Sequence, residues 1–360
     1  MPAWARFPNL PVTYARAFIQ VAEECGVSAA QVMAYAHLQA DRLADPAARL
    51  SLYEALCIIE AVLALTGRPG LGFDVGNRMP LTAHGYLGYA LMCAPTVREA
   101  ISVLQRYWHL RGRGVHFQFL EQGTTAVFDF SPEASVPLHL RQNFFNSMLV
   151  SVFRGMQFLL GGRTVGAEIW FDVAEPDYFA EYREHLPPIR YGMPAVQIRL
   201  PNVQLYNDVL PTANPEAFSL AVAQCEQESA LYWRDVDDIV QRVRHALHLG
   251  DQGYPTPASL AEHLNMTPRT LRRRLQEQGS SYRRLVEEAR RRDSGRLLLS
   301  TDLEIYRVSE CLGYADPANF TRAFRAWTGQ TPHAWRASRR IDESPVPQAP
   351  IATDPAHVIP

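Results

Sequence analysis

The chain has 360 residues, 47% of them hydrophobic and 20% charged, with 21 glycines and 26 prolines scattered along it. That is apolar material for packed cores, about two domains at ~150 residues each. It excludes a disordered chain, collagen and low-complexity filaments. The net charge of −2 hides a split. Residues 1–254 hold 19 arginines against 25 acids, residues 255–340 hold 16 arginines against 9 acids, and residues 341–360 hold three acids and no base. An acidic body joined to a basic block points to a second domain with a polyanionic partner.

The five cysteines, Cys25, Cys57, Cys93, Cys225 and Cys311, are odd in number, far apart and never in a C-x-x-C pair. They argue against a disulfide framework or zinc site and for a reducing, cytoplasmic compartment. Met1 to Leu10 has no apolar stretch behind a charged start, so no signal peptide is expected. The most apolar run, Ala55 to Leu65, contains Glu60 and is too short for a membrane span. The eleven histidines form no i, i+4 pair beside an acid, so neither metal nor other cofactor is expected.

In chain order, apolar spacing predicts helices over Thr13–Glu24, Ser51–Thr66 and Thr96–Trp108. The period then changes to two. Val115, Phe117 and Phe119 alternate with His116, Gln118 and Leu120, Gln122-Gly123-Thr124 breaks the chain, and Ala126, Phe128 and Phe130 follow: a β-hairpin. Leu138–Leu160 reads as a long helix ending at Gly161-Gly162. Short strands at Ala167–Phe171 and Val196–Leu200 flank a helix near Asp177–His185, and helices dominate from Pro215 onward. An α+β domain is therefore expected over 1–250, with a boundary at Asp251-Gln252-Gly253-Tyr254-Pro255. The proline-rich stretch 339–360 reads as a disordered tail.

In the basic block, Thr256-Pro257 opens one helix as N-cap and first helical position, and Asn265 stops it. Thr267-Pro268 opens a second at once, which makes a helix-turn-helix. On the second helix Leu271 and Leu275 point inward. Arg269, Arg272, Arg273 and Gln276, at relative positions 0, +3, +4 and +7, form the opposite stripe, with Thr270 in its first turn. Such a stripe suits the major groove, where arginine forks pair with guanine. The pattern recurs about 49 residues on. Ile305–Leu312 ends at Gly313, Asp316-Pro317 caps the next helix, Phe320, Phe324 and Trp327 point inward, and Ala318, Arg322 and Arg325 point outward, flanked by Asn319 and Thr321. Tyr282–Leu299 reads as the connecting helix.

This duplicated arrangement resembles the DNA-binding region of the AraC/XylS family of bacterial transcriptional regulators. Its most specific part runs from Leu312-Gly313-Tyr314-Ala315-Asp316-Pro317 to Trp327-Thr328-Gly329-Gln330-Thr331-Pro332 and ends at Trp335-Arg336. The resemblance implies an all-α domain over 251–338 in which two recognition helices read adjacent major grooves about one turn apart. It places Arg269, Arg272 and Arg273 in the first groove and Pro317, Ala318, Asn319, Thr321 and Arg322 at or near the second, and Thr270, Gln276 and Arg325 on the same helices are candidate contacts beside them. In the connecting helix Arg291, Asp293, Ser294 and Gly295 stand where the family more often has apolar residues and alanine, and Ser309 stands where alanine is usual.

The acidic body is similar to the arabinose-binding-domain-like effector domain of one AraC-type subgroup. Gly85-Tyr86-Leu87-Gly88-Tyr89-Ala90, Thr96-Val97-Arg98-Glu99-Ala100, Arg106-Tyr107, Phe153-Arg154 and Ile189-Arg190-Tyr191-Gly192 carry the similarity. It implies a small-molecule effector, unidentified by the family name; RNA polymerase is a further expected partner, and the helical, partly apolar stretch Pro215–Leu231 suggests contact with a second copy of the chain. Arg106 and Arg154 are candidate anchors for an effector carboxylate, and Tyr107, Trp108 and Trp170 candidate pocket walls. Structural arginines and core aromatics are the plainer reading of these five. For the arginine stripes the plainer reading is a solvated helix face, against which stands their duplication. No G-x-S-x-G, P-loop or H-E-x-x-H occurs, and Gly70-Leu71-Gly72-Phe73-Asp74-Val75-Gly76 misses the dinucleotide spacing by one. A catalytic N-terminal domain fused to a DNA reader is the alternative, and an RNA-binding or architectural protein a third.

Overall fold

The computed structural model describes residues 3–339 except 123, 165, 202–207, 236–238, 248, 250–252, 265 and 302. The N-terminal half begins with a helical layer of α1 (Val12–Glu24), α2 (Ala29–Tyr35), α3 (Leu52–Thr66) and α4 (Leu71–Arg78), clasped by the two-stranded pair β1 (Leu10–Pro11) and β2 (Arg49–Leu50). Ser51 starts α3 because its hydroxyl accepts from the Glu54 amide while the Glu54 carboxylate accepts from the Ser51 amide. The apolar stripes of these helices meet in a common core that includes Phe18, Ile58 and Val62.

The glycine run 70–76 is part of this layer and is not a nucleotide loop. It forms α4, which crosses α7 (Leu138–Leu159) where Gly72 and Gly76 let the backbones touch. A Cβ on Gly72 would stand 2.3 Å from the Asn143 carbonyl oxygen, and one on Gly76 2.7 Å from that of Ser147. Asn143 secures the crossing by accepting from the Gly72 amide at 3.0 Å and donating to the Pro69 carbonyl at 2.8 Å.

A five-stranded sheet follows, with β3 (Val115–Gln122), β4 (Thr125–Pro132), β5 (Glu168–Trp170), β6 (Ile189–Arg190) and β7 (Val196–Pro201) in the order β3-β4-β7-β5-β6. The hairpin expected from the two-residue period has Phe117 opposite Phe130 and Phe119 opposite Phe128. Its inner face, including Phe117, Phe128 and Phe130, packs with residues of α5 (Gly85–Cys93), α6 (Val97–Tyr107), α7 and α8 (Pro215–Asp235). Alternation of this kind usually marks a sheet with one wet face. Here Gln118, Val127, Asp129 and Gln197 are buried as well, and Leu120 packs into a C-terminal core. The helix expected over 177–185 is instead two 3₁₀ turns, Asp177–Glu181 and Arg183–His185, with Pro187 and Pro188 next in the chain.

The C-terminal half is helical: α9 (Ile239–Ala246), α10 (Pro257–His263), α11 (Pro268–Glu277), α12 (Tyr282–Ser300), α13 (Ile305–Cys311), α14 (Pro317–Thr328) and α15 (Pro332–Arg339). Ile239 and Val243 share one core with Leu260, Leu271 and Leu275, while Leu298, Val308, Phe320 and Phe324 share another. The repeat therefore starts earlier than the two-helix pattern suggests. Arg242 of α9 donates to the Leu264 carbonyl, and Arg290 of α12 donates to that of Leu312, in both cases 22 residues along. Each is a guanidinium from the preceding helix closing a bare helix C-terminus. α9, which precedes the expected boundary at 251–255, packs into the core of the first unit. Asp251, Gln252 and Asn265, and most of the expected tail, lie outside the described residues.

Candidate nucleic-acid interface and effector cavity

Each candidate reading helix is set by its cap and its buried stripe. The Thr267 hydroxyl accepts from the Thr270 amide, Pro268 occupies the first helical position, and Leu271 and Leu275 are buried. That rotation leaves Arg269, Arg272, Arg273 and Gln276 exposed and Thr270 half-buried, its hydroxyl 2.9 Å from that of Thr267. On α14 the Asp316 carboxylate accepts from the Ala318 amide at 2.9 Å, and Phe320 and Phe324 are buried. Pro317, Ala318, Asn319, Arg322 and Arg325 are exposed and Thr321 is half-buried.

Two of these arginines are steered from within their helices. Arg273 pairs with Glu277 at 2.7 Å, and Arg322 donates to the Asn319 side chain at 2.5 Å. Arg269, Arg272 and Arg325 have no side-chain hydrogen-bond partner among the described residues. Their donors face water, where a phosphate or a base edge could take them.

The five effector candidates are not gathered around a cavity. Arg106 lies at the surface, paired with Glu226 at 3.0 Å, and the buried Tyr107 donates its hydroxyl to the same carboxylate at 2.6 Å. The Trp108 indole donates to the Val115 carbonyl and packs on Phe117 and Phe130. Arg154 ties Asn77 and Gln157 to the His185 carbonyl. Trp170 bonds Glu168 and lies under the Arg199 guanidinium, 4.3 Å from its ring centre.

The cavities lie elsewhere. One opens between α5, α6 and α7, with Ile101, Phe128, Val152 and Leu159 among its walls. A second lies towards α1, with Phe18 and Ile59 among its walls. His84 and Arg111 are among the walls of both. The Tyr14 hydroxyl is 2.9 Å from His84 Nδ1, and His84 Nε2 is 3.4 Å from the Ser151 hydroxyl. Burial, aided by the Arg111 charge, pushes the His84 imidazole down to about 4, so it is neutral near pH 7. Sequence reasoning missed Arg111 because it follows α6 in a 3₁₀ turn outside the helical period, between the fully buried Leu110 and Gly112.

Comparisons with known proteins match both halves. The family described as the arabinose-binding domain of AraC transcription regulator, N-terminal, matches residues 26–205, and a helix-turn-helix domain family matches residues 260–338. The regulator VirS of Mycobacterium tuberculosis is 30% identical over 80% of this chain and 84% of its own. The chain belongs to the AraC family of transcription regulators.

The ornithine utilization regulator of Pseudomonas aeruginosa is a further relative of this AraC-family regulator, 28% identical over 91% of this chain and 96% of its own. The crystal structure of CdpR from the same species is 25% identical over 85% of this chain and 95% of its own, with a TM-score of 0.43. Among the described residues no group of three or more His, Cys, Asp or Glu is placed to hold a metal ion. No single described helix is long and apolar enough to cross a membrane.

The regulator's two halves meet at buried charges. Asp129, on the outer face of β4, accepts from the Gln197 amide at 2.9 Å and stands 3.5 Å from Arg296 of α12. Burial holds the Asp129 carboxyl above its ordinary value against the pull of Arg296, and holds Arg296 below its own. Both shifts run towards the neutral forms, so desolvation outweighs the mutual attraction. Of the connecting helix's departures from family habit, Asp293 belongs to this junction, 4.0 Å from Arg296. Asp293 is fully buried and accepts from Arg292 at 2.7 and 2.9 Å and from the Tyr254 hydroxyl at 2.7 Å. Ser294 is buried, Arg291 is exposed, and Gly295 lies beside the Trp335 ring, where a Cβ would be in ordinary contact.

Proposed function

We propose that this regulator reads a promoter or operator with α11 and α14 in two adjacent major grooves, and that a small effector in the cavity between α5, α6 and α7 governs that reading. The observation that carries it is the pair of arginine-edged helices, each capped and buried alike, whose outward donors are left to a partner. Arg269, Thr270, Arg272, Arg273 and Gln276 serve the first groove. Pro317, Ala318, Asn319, Thr321, Arg322 and Arg325 serve the second. Guanidinium forks on guanine supply specificity, and contacts to phosphate supply salt-dependent affinity.

Coupling runs through β4. Phe128 walls the cavity, and its neighbour Asp129 faces Arg296 on the other side of the same strand. A ligand that shifts β4 has unequal affinity for docked and undocked arrangements, which is the condition for allostery. α8, with exposed Leu220 and Leu231, is assigned to contact with a second copy, and RNA polymerase is the further partner at the promoter. No catalytic step is assigned.

The test is footprinting of the full chain on its own promoter region. Arg272→Ala with Arg322→Ala should abolish the specific footprint while the circular dichroism spectrum stays unchanged, each lost bidentate contact costing ~1–3 kcal/mol. A footprint that survives the double change refutes the groove assignment.

A further inference from the structure

The cavity between α5, α6 and α7 has two titratable side chains among its walls, His84 and Arg111, which it shares with the second cavity, while Leu87, Ile101, Phe128, Val152 and Leu159 are among its apolar walls. A sugar or a free amino acid would leave several hydrogen-bonding groups facing hydrocarbon, each at a cost. The surroundings of Arg111, in contrast, are short of negative charge. Arg49 and Arg111 share a single carboxylate oxygen of Glu228, at 2.6 and 3.0 Å, so two guanidinium charges answer to one acid. The Arg111 side chain is 9% exposed, and its Nε has no hydrogen-bond partner among the described residues. His84 is neutral, and its ring nitrogens face the hydroxyls of Tyr14 and Ser151, which line the second cavity.

We propose that the effector is an amphipathic monocarboxylate, its head on the Nε edge of Arg111 and its hydrocarbon body in the cavity between α5, α6 and α7. This rests on the effector-controlled reading above and narrows it to one chemistry. The single negative charge matches the single excess positive one, and a charge-assisted bond satisfies the orphaned N–H. Glu228, the acid that now holds Arg111, lies on α8, the helix that precedes the DNA-binding half. A ligand head drawing on Arg111 therefore acts on an element that leads into α9.

The experiment uses the full chain with sodium octanoate, octan-1-ol, ornithine and arabinose as probes, read by thermal shift and by calorimetric titration. Octanoate should raise the melting temperature and bind at least tenfold more tightly than octanol, with no response to ornithine or arabinose. Arg111→Gln removes the charge, and Ala100→Phe fills the cavity without touching Arg111. Each should weaken octanoate at least tenfold, and the second variant serves if the first does not fold. Octanol binding as tightly as octanoate overturns the carboxylate head. Octanoate binding unchanged by both variants overturns its placement. Ornithine or arabinose binding that Ala100→Phe abolishes overturns the ligand class while the cavity remains a sensor. Silence from all four probes overturns the monocarboxylate, whereas the regulator reading falls only on the footprints.

Discussion

Single residues show where the chain spends stability. Ser309 is fully buried at the position matching Ala261 of the first unit, and its hydroxyl has no hydrogen-bond partner among the described residues. A buried, unsatisfied hydroxyl costs about 1–3 kcal/mol. Ser309→Ala should therefore raise stability by about 1 kcal/mol, seen as a higher urea midpoint with an unchanged slope. An equal or lower midpoint would mean that the hydroxyl is satisfied. His84 works in the opposite direction as the solution is acidified. Its unfolded imidazole titrates near 6.5, while in the fold burial and then the Arg111 charge hold it down to about 4. Between those values the unfolded chain binds a proton that the folded chain refuses. Its share of stability is thus complete above about pH 6.5 and drains away as the pH falls towards 4, on the order of 3 kcal/mol in all. Denaturation of wild type and His84→Gln at pH 7 and pH 5 checks this, the variant losing less on acidification.

At the scale of elements, the sequence was most legible where a cap and a period agreed. Ser51, Thr96, Thr256, Thr267 and Asp316 each start a helix through the side-chain bond that their residue type implies. The reading faces of α11 and α14 followed, because burial of Leu271 or Phe320 fixes what lies opposite. The polar cluster beside the cavities was not legible. Arg111, His84 and Tyr14 come from a 3₁₀ turn, the residue before α5 and α1, and only tertiary packing brings them together. Arg106 and Arg154 looked more promising on their helices, yet their partners, Glu226 and Asn77, lie 120 and 77 residues away. The glycines of α4 were misleading in another way, since a nucleotide loop and a close helix crossing both need the missing Cβ. Gly72→Ala should cost about 1–3 kcal/mol by forcing α4 from α7. The expected readout is a lower melting temperature, and an unchanged one would mean that the crossing relaxes freely.

For the whole molecule, the question is how a cavity in one half reaches a helix in the other. The polar face of β4 looks like a surface when read locally. Its cover, Arg296, is 167 positions further along, beyond the reach of any periodicity argument. Removing one member of a buried pair strands the other charge, whereas removing both can be nearly neutral. Asp129→Asn alone should therefore destabilise the chain by about 3 kcal/mol, and Asp129→Asn with Arg296→Met by much less. The double variant should also lose the effector's influence on promoter binding while keeping the binding itself. If both variants are equally destabilised, or if the effector response survives in the double variant, this contact does not couple the halves.

The second reading unit is bolted to α12 at several points. Arg290 grips the end of α13 through the carbonyls of Leu312 and Gly313, Arg336 of α15 grips the Leu298 carbonyl, and Trp335 stacks edge-on against Phe324. A promoter carrying one extra base pair between the two contact zones would present its far groove turned by roughly 34°. With α12 unbroken from Tyr282 to Ser300, the strain of following that turn falls on the double helix. Pliable spacer steps, though never touched, thereby become part of what is recognised.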